Sequence, residues 1–469
     1  MGDNQLPSSF QPKPFDERVV YEELQAKLVR EGRDEGGVRA DFLPKEAYIS
    51  PEFARLEGER LWPKVWQVAC REEELPREGS YITYDILDDS IIVVRTADGI
   101  KAYHNACPHR GRPLTDGCGW GTQFVCRFHG WRFNLGGENT HVVDRQDWNG
   151  CLKDDEISLR SVRVGSWGGF VFINMDPEAE ALEEFLAPFN ELCHKYEFEK
   201  MRFRWYRTVE LPLNWKAALE GFDEAYHVQT SHPQIIRHIE DYSSSGTFGI
   251  HSAFWYDPLP DGRSRYQPSS RLGDQEEPLD YRYHVLEYAR EMEEQLGGSI
   301  TPRAYTAAQQ MMQRLPADAS SMEVMQEWRR LWREEALADG AGWPELTVDE
   351  IRAARQDWHI FPNSVFLLSG VDGLLYYRAR PDGNNPDKCL YDVWSLMRYA
   401  PGAEPKLERE YYTKWEDCDW KRILSQDFAN LARVQRGMKS RGFVGGRPNP
   451  QQEQAISNFH RMIWRVVGK

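Results

Sequence analysis

Two short segments constrain this chain more than any others: CPHRG, beginning at Cys107, and CRFHGW, beginning at Cys126. Each supplies one cysteine and one histidine, Cys107 with His109 and Cys126 with His129. Sixteen residues separate the two pairs. Glycine follows each pair, at Gly111 and Gly130, and lets the backbone turn tightly beside a bound group. Eight cysteines among 469 residues are too few for a disulfide framework, so their clustering points to metal.

Tetrahedral zinc is the first ligand class to weigh. Zinc fingers usually draw two cysteines from one loop and two histidines from another. Here each loop offers one of each. That division suits a 2Fe–2S cluster with two Cys on one iron and two His on the other, the Rieske form.

A second constellation lies in NWKAALEGFDEAYHVQTSHPQ, from Asn214. It holds His227 and His232, with Glu220, Asp223 and Glu224 upstream. Two imidazoles and a carboxylate with open positions form the ligand set of non-haem Fe(II) oxygenases. An i,i+5 pair on an ideal helix lies about 140° apart, so a helix must bend or end between the two histidines. Pro233 disfavours helical geometry at His232. Glu224 and His227, at i,i+3, are expected to share a helical face.

Length and hydrophobicity allow two domains, one large and one small. From Trp62 to Met175 short β-branched or aromatic runs alternate with turn signals, predicting a small all-β sandwich or barrel. An acidic helical segment is expected over Glu178–Glu199, a strand over Arg202–Glu210 and a helix over Asn214–Thr230. Residues 257–280 read as an exposed loop, and 282–340 as a largely helical insert that either caps the pocket or forms a subunit contact. Thr347 with Glu350 has capping-box spacing. Strands are expected over Trp358–Leu368, Leu374–Ala379 and Cys389–Tyr399, and helices over Trp420–Ser440 and Pro450–Val467. The whole is α+β. Phe222, Phe361, Asn363 and Phe366 are pocket candidates, because they flank the metal segment or lie on a predicted central strand.

The net charge of −16 disfavours nucleic acid as a partner. No apolar run approaches the ~18 residues of a membrane span, and residues 1–14 lack a signal-peptide core. A cytoplasmic protein is expected.

The chain resembles Rieske non-haem iron oxygenases, in particular the catalytic (alpha) subunits of ring-hydroxylating dioxygenases, over roughly residues 48–440. Respiratory Rieske proteins carry a further disulfide. Arg112 and Phe128 stand at the corresponding positions here, as in lower-potential centres. The resemblance implies a Rieske domain (48–176) and a helix-grip catalytic domain with a central antiparallel sheet (177–469). An N-terminal helical segment (1–47, with its helix at Glu17–Glu31) would pack on the catalytic domain. It implies His227 and His232 as ligands of one mononuclear Fe(II), with Asp427 of SQDFANLARVQRGMKS as the third. Asp417 and Asp419 compete for that role. An acidic residue three positions before the first histidine links the two metal centres across subunits. It is commonly Asp, and here it is Glu224, with Asp223 adjacent. Some members acting on amine-type substrates carry Glu there.

The implied chemistry is O2-dependent hydroxylation of a hydrophobic, aromatic substrate by cis-dihydroxylation. The alternatives are monooxygenation or oxidative demethylation of an aromatic or amine-type substrate. Electrons would come from NAD(P)H through a separate ferredoxin or flavin reductase, since no nucleotide-binding glycine fingerprint is present. Arg110, Arg112, Arg127 and Arg132 offer a docking surface for an acidic donor. A homotrimer is implied, with or without a small beta subunit. Two other readings remain: a Rieske electron carrier without catalysis, which leaves the second constellation unexplained, and a zinc-binding interaction protein, which a colourless protein without acid-labile sulfide would favour.

Overall fold

A computed structural model describes residues 42–273 and 278–468. The helix expected at Glu17–Glu31 lies outside the described residues. The amino-terminal β unit holds a seven-stranded antiparallel sheet. Its order is Gln67–Arg71, Phe170–Asn174, Ser161–Trp167, Gly99–His104, Asp89–Thr96, Ser80–Ile86 and Cys118–Trp120. A second sheet of three short strands, Gln123–Val125, Arg132–Asn134 and Asn139–His141, lies beside it. Ile92, Val94, Phe124, Trp131 and Phe133 form a small core next to Cys107 and Cys126.

The second unit is built on an eight-stranded sheet. The order is Ser244–Phe248, His251–Trp255, Asp357–Ile360, Ser364–Leu367, Gly373–Asp382, Asn385–Arg398, Met201–Leu211 and Arg409–Tyr412. All neighbours are antiparallel except the last pair, which is parallel. Successive side chains of a strand point to opposite faces, and the cores divide accordingly. Leu375, Tyr377, Tyr391 and Val393 join the core under the helices. Phe366, Tyr376, Trp394 and Leu396 join a second core with Phe170, Phe189 and Phe203. Two buried arginines tie the units together. Arg378 donates to the carbonyls of Val68 (2.6 Å) and Ala69 (3.1 Å), and Arg71 to those of Phe198 and Met201, both at 2.9 Å.

Several elements differ from expectation. The acidic stretch 178–199 is not one helix. Short helices Leu182–Phe185 and Phe189–Cys193 flank Pro188, which lacks the N–H a continuous helix requires. Residues 214–230 form a helix only over Trp215–Glu220, and a second turn of helix spans Val228–Ser231. The capping box at Thr347 and Glu350 forms, but its helix, expected to run to about Asp357, ends at Ala353. Trp358–Leu368 is a hairpin of two strands rather than one. Helix Pro51–Arg60 sets Phe53 against Trp464 of the C-terminal helix Gln454–Val467, with rings 4.9 Å apart. The insert contains helices Tyr281–Glu291, Pro302–Arg314 and Ser321–Ala338, and a wider π-type turn, Met292–Leu296, extends the first.

Candidate metal centres

The two Cys/His loops have the same backbone design. In the first, Gly111 N–H donates to the Cys107 carbonyl (2.8 Å) and Cys107 N–H to the Arg112 carbonyl (3.0 Å). In the second, Gly130 N–H donates to Cys126 (2.9 Å) and Cys126 N–H to Trp131 (2.8 Å). Each turn closes through a glycine with positive φ, 76° at Gly111 and 75° at Gly130, which a side chain would strain. The result sets the two imidazoles 4.5 Å apart, centroid to centroid, above two buried cysteines. His109 Nδ1 and His129 Nδ1 are buried with no hydrogen-bond partner. Two orphaned ring nitrogens beside two buried sulfurs fit a 2Fe–2S cluster. Burial, with Cys126 alongside, pushes the Cys107 thiol up to about 11, so a cationic centre is needed to hold it as thiolate.

Trp131 stacks on His109 at 4.9 Å. The rim of the site reaches the surface: Phe128 is 54% exposed, with Arg110 lying over its ring. Arg110, Arg127 and Arg132 are exposed, whereas Arg112 is half-buried and donates to the Pro113 carbonyl (2.7 Å).

The second centre begins at Asn214, whose side chain caps helix Trp215–Glu220 by accepting from Lys216 N–H (3.1 Å). The helix ends at Gly221. A Cβ there would sit 3.1 Å from Leu431 Cδ2, so glycine lets the helix Lys421–Met438 come close. Glu224 and His227 therefore meet in a turn, not along a helical face as expected. Glu224 Oε2 accepts the backbone N–H of His227 (3.0 Å), and Oε1 lies 2.6 Å from His227 Nδ1. That leaves Nε2 free to point inward.

His232 follows one short helical turn later. Its Nδ1 lies 2.8 Å from Gln426 Oε1, and its Nε2 lies 2.9 Å from Asp427 Oδ1. His227 Nε2 is 3.7 Å from the same oxygen. Ligand atoms of His227, His232 and Asp427 all fall within 4.8 Å of one another, and no other such group of three occurs among the described residues. Two imidazoles and one carboxylate at this spacing fit mononuclear Fe(II) with open positions. Burial disfavours a charge on His227, but Glu224 and Asp427 outweigh it and raise its pKa to about 9.

Asp417 and Asp419 are exposed, and Asp419 is engaged by Lys421 at 2.7 Å. Asp223 lies apart from the triad. It is fully buried, with His359 Nδ1 at 3.3 Å from Oδ2, and neither of its oxygens has a well-aligned hydrogen bond. Burial, together with Asp357, Glu220 and Glu224, holds its carboxyl well above the usual range. The contact to His227 belongs to Glu224 alone.

A cavity of about 120 Å³ opens from the triad. Of the four pocket candidates, Phe222 lines it. Phe361 is buried against Phe459, Asn363 donates to the Ala379 carbonyl (2.9 Å), and Phe366 faces the opposite side of the sheet. Strand alternation decides this, because Phe366 and the cavity-lining Leu367 are neighbours and must point oppositely. Tyr288, Met292 and Leu296 bring the helical insert to the cavity as its cap. Gln426, which orients His232, and Arg265, in the cavity wall, were not singled out as functional from the sequence. The glutamine next to Asp427 was a usable signal, whereas nothing local marks Arg265.

One chain thus carries a Cys2His2 site with the donor set of a 2Fe–2S cluster and a two-histidine, one-carboxylate site with the donor set of non-haem iron. The chain belongs to the family described as ring hydroxylating alpha subunit (catalytic domain), matched over residues 198–469, with a Rieske [2Fe-2S] domain matched over 65–149. It is 32% identical over 197 residues to the carnitine monooxygenase oxygenase subunit of Escherichia coli (strain K12), covering 41% of this chain and 52% of that protein. It is 29% identical over 196 residues to the chloroplastic choline monooxygenase of Beta vulgaris, covering 40% and 44%. The chain thus spans about half the length of the curated relatives it matches.

Among solved structures, the quaternary ammonium Rieske monooxygenase CntA in complex with substrate L-carnitine matches with TM-score 0.61 and 19% identity, covering 91% of this chain and 95% of that one. Naphthalene 1,2-dioxygenase from Rhodococcus sp. bound to indole matches with TM-score 0.59 and 18% identity, covering 97% and 99%. These likenesses establish the fold. Carnitine and choline, the substrates in the names of the two relatives, are quaternary amines, and neither supports the aromatic hydrocarbon catabolism anticipated from the sequence.

Proposed function

We propose that this chain is the oxygenase component of a monooxygenase acting on a small amine-type substrate, by hydroxylation or oxidative demethylation. This reading replaces aromatic cis-dihydroxylation. The observation that carries it is the lining of the metal cavity. Beside the triad stand Arg265, Asp357, Tyr256 and Gln356, polar groups of no use to a hydrocarbon. The cavity's small volume also argues for a compact ligand. The names of the amine-oxidising relatives point the same way.

When bound, the cluster held by Cys107, His109, Cys126 and His129 supplies electrons singly, and the iron held by His227, His232 and Asp427 supplies the place where O2 is reduced. The chain does the positioning. Glu224 fixes the Nδ1–H tautomer of His227 and Gln426 that of His232, so both Nε2 atoms face Asp427. Ile235, Ile239, Met292 and Leu424 keep the walls apolar and exclude water. Glu224 is the candidate link to the electron-delivering cluster of a neighbouring subunit in a homotrimer. Electrons come from a separate NAD(P)H-dependent reductase or ferredoxin, docking near Arg110, Arg127 and Arg132.

The test is turnover with a surrogate reductase, comparing trimethylammonium compounds with aromatic hydrocarbons and reading products by mass after isotope-labelled O2. One labelled oxygen in an amine product fits the reading. A cis-diol carrying two would overturn it. Sedimentation or light scattering reports the trimer.

A further inference from the structure

Among the charged groups that line the metal cavity, Arg265 stands against tyrosines rather than against a carboxylate of the described residues. Glu224 and Asp427 are engaged with His227 and His232. Asp357 is buried with Oδ1 unpartnered, and burial holds its carboxyl well above the usual range. Arg265 carries its charge at any accessible pH. No carboxylate pairs with it among the described residues, and its Nη1 is buried without a hydrogen-bond partner.

The position is also built. The carbonyl of Arg265 accepts N–H groups from Glu240 (2.7 Å) and Gln267 (2.9 Å), which pins its backbone. Its guanidinium lies 3.9 Å from the Tyr256 ring centroid and 5.3 Å from that of Tyr266. Tyr266 rests in turn on Tyr288 (4.9 Å) and Trp328 (5.4 Å) of the helical insert. A guanidinium stacked between aromatic rings is held in one plane and loses little freedom when it binds a planar anion. A half-buried guanidinium that meets tyrosines but no carboxylate among the described residues keeps its charge uncompensated, and a ligand anion would match it.

We infer that Arg265 receives a carboxylate of the substrate, so that the substrate is a small amine bearing a carboxylate rather than a neutral amino alcohol or a hydrocarbon. The amine half of that statement rests on the function proposed above, whereas the carboxylate half rests on Arg265 alone. Two charge-assisted N–H···O bonds in a desolvated wall give both affinity and orientation. They would anchor one end of the molecule while the other end faces the triad.

The experiment is anaerobic calorimetric titration of the iron-loaded protein with γ-butyrobetaine and with its primary amide, which differ only in the charge of the anchor group. The native protein is expected to prefer the acid. In Arg265→Gln that preference should shrink by about 10- to 100-fold, the loss of one charge-assisted contact. Equal affinity for acid and amide in the native protein overturns the inference, as does a preference that survives Arg265→Gln. If the variant does not fold, judged by circular dichroism and the cluster's absorbance, the native acid-versus-amide comparison decides alone. Benzoate against benzamide separates the two claims. An Arg265-dependent preference for benzoate, with no binding of γ-butyrobetaine, sinks the amine reading and keeps the anchor. Absence of an acid preference in both pairs sinks the anchor.

Discussion

Replacing Glu224 with Gln should weaken iron binding at the mononuclear centre by about 10- to 100-fold. Glu224 makes two contacts with His227, at 2.6 Å to Nδ1 and 3.0 Å to the backbone N–H. A carboxylate accepts both. A carboxamide accepts only one, and its NH2 group then faces a second donor. Losing one hydrogen bond to a charged acceptor costs about 1.5–3 kcal/mol. At 1.4 kcal/mol per factor of ten, that is roughly 10- to 150-fold in affinity. The range agrees with the ~10- to 100-fold typical of residues that orient a metal-bound histidine. The assay is ferrous iron dissociation under anaerobic chelator competition, with the cluster's visible absorbance as an internal control for folding. A change below about threefold, with the absorbance intact, would show that Glu224 does not set the ligand's orientation and would refute the reasoning.

Asp427→Ala should empty the mononuclear site while leaving the cluster chromophore, and metal analysis finding iron beyond the cluster's own would rule Asp427 out as a ligand. Lys216→Met should destabilise by about 3–5 kcal/mol, because Glu57 would be left buried without its partner at 2.7 Å. Adding Glu57→Leu should recover much of that loss in thermal melts, and a double variant as unstable as the single would count against it. His251 predicts a pH effect. Burial, only partly opposed by its contact with the Phe185 carbonyl, lowers its pKa from 6.5 to about 4. A histidine with a depressed folded-state pKa stays neutral in the fold but takes up a proton on unfolding. Stability therefore falls as pH drops through 6.5, and the loss saturates near pH 4 at up to about 3 kcal/mol. His251→Gln should flatten Tm against pH in that window, and an unchanged slope would place the acid sensitivity elsewhere.

The donor sets of both candidate centres were legible in the sequence, because residue type and spacing are local. Cys107, His109, Cys126 and His129 need only two glycine-closed turns, and each turn is written in about six consecutive residues. His227 and His232 were likewise legible, as was the requirement that helical geometry fail between them. The β character of residues 62–175, the capping box at Thr347 and the strands from Leu374 to Tyr399 follow period and turn chemistry that a single segment displays.

The remaining features depend on which distant segments meet. Asp427 reaches His232 because Gly221 admits the helix Lys421–Met438, a contact across more than half of the second unit's length. The contact of Glu224 with His227, and the separation of Asp223 from the triad, depends on a turn whose path the neighbouring helix sets. Phe366 reads as a pocket residue until the register of its strand sends it to the opposite face. Arg265 could not be found at all. An arginine in an exposed-looking loop carries no signal of its own, and its meaning comes from the tyrosines it meets and from the lack of a paired carboxylate among the described residues.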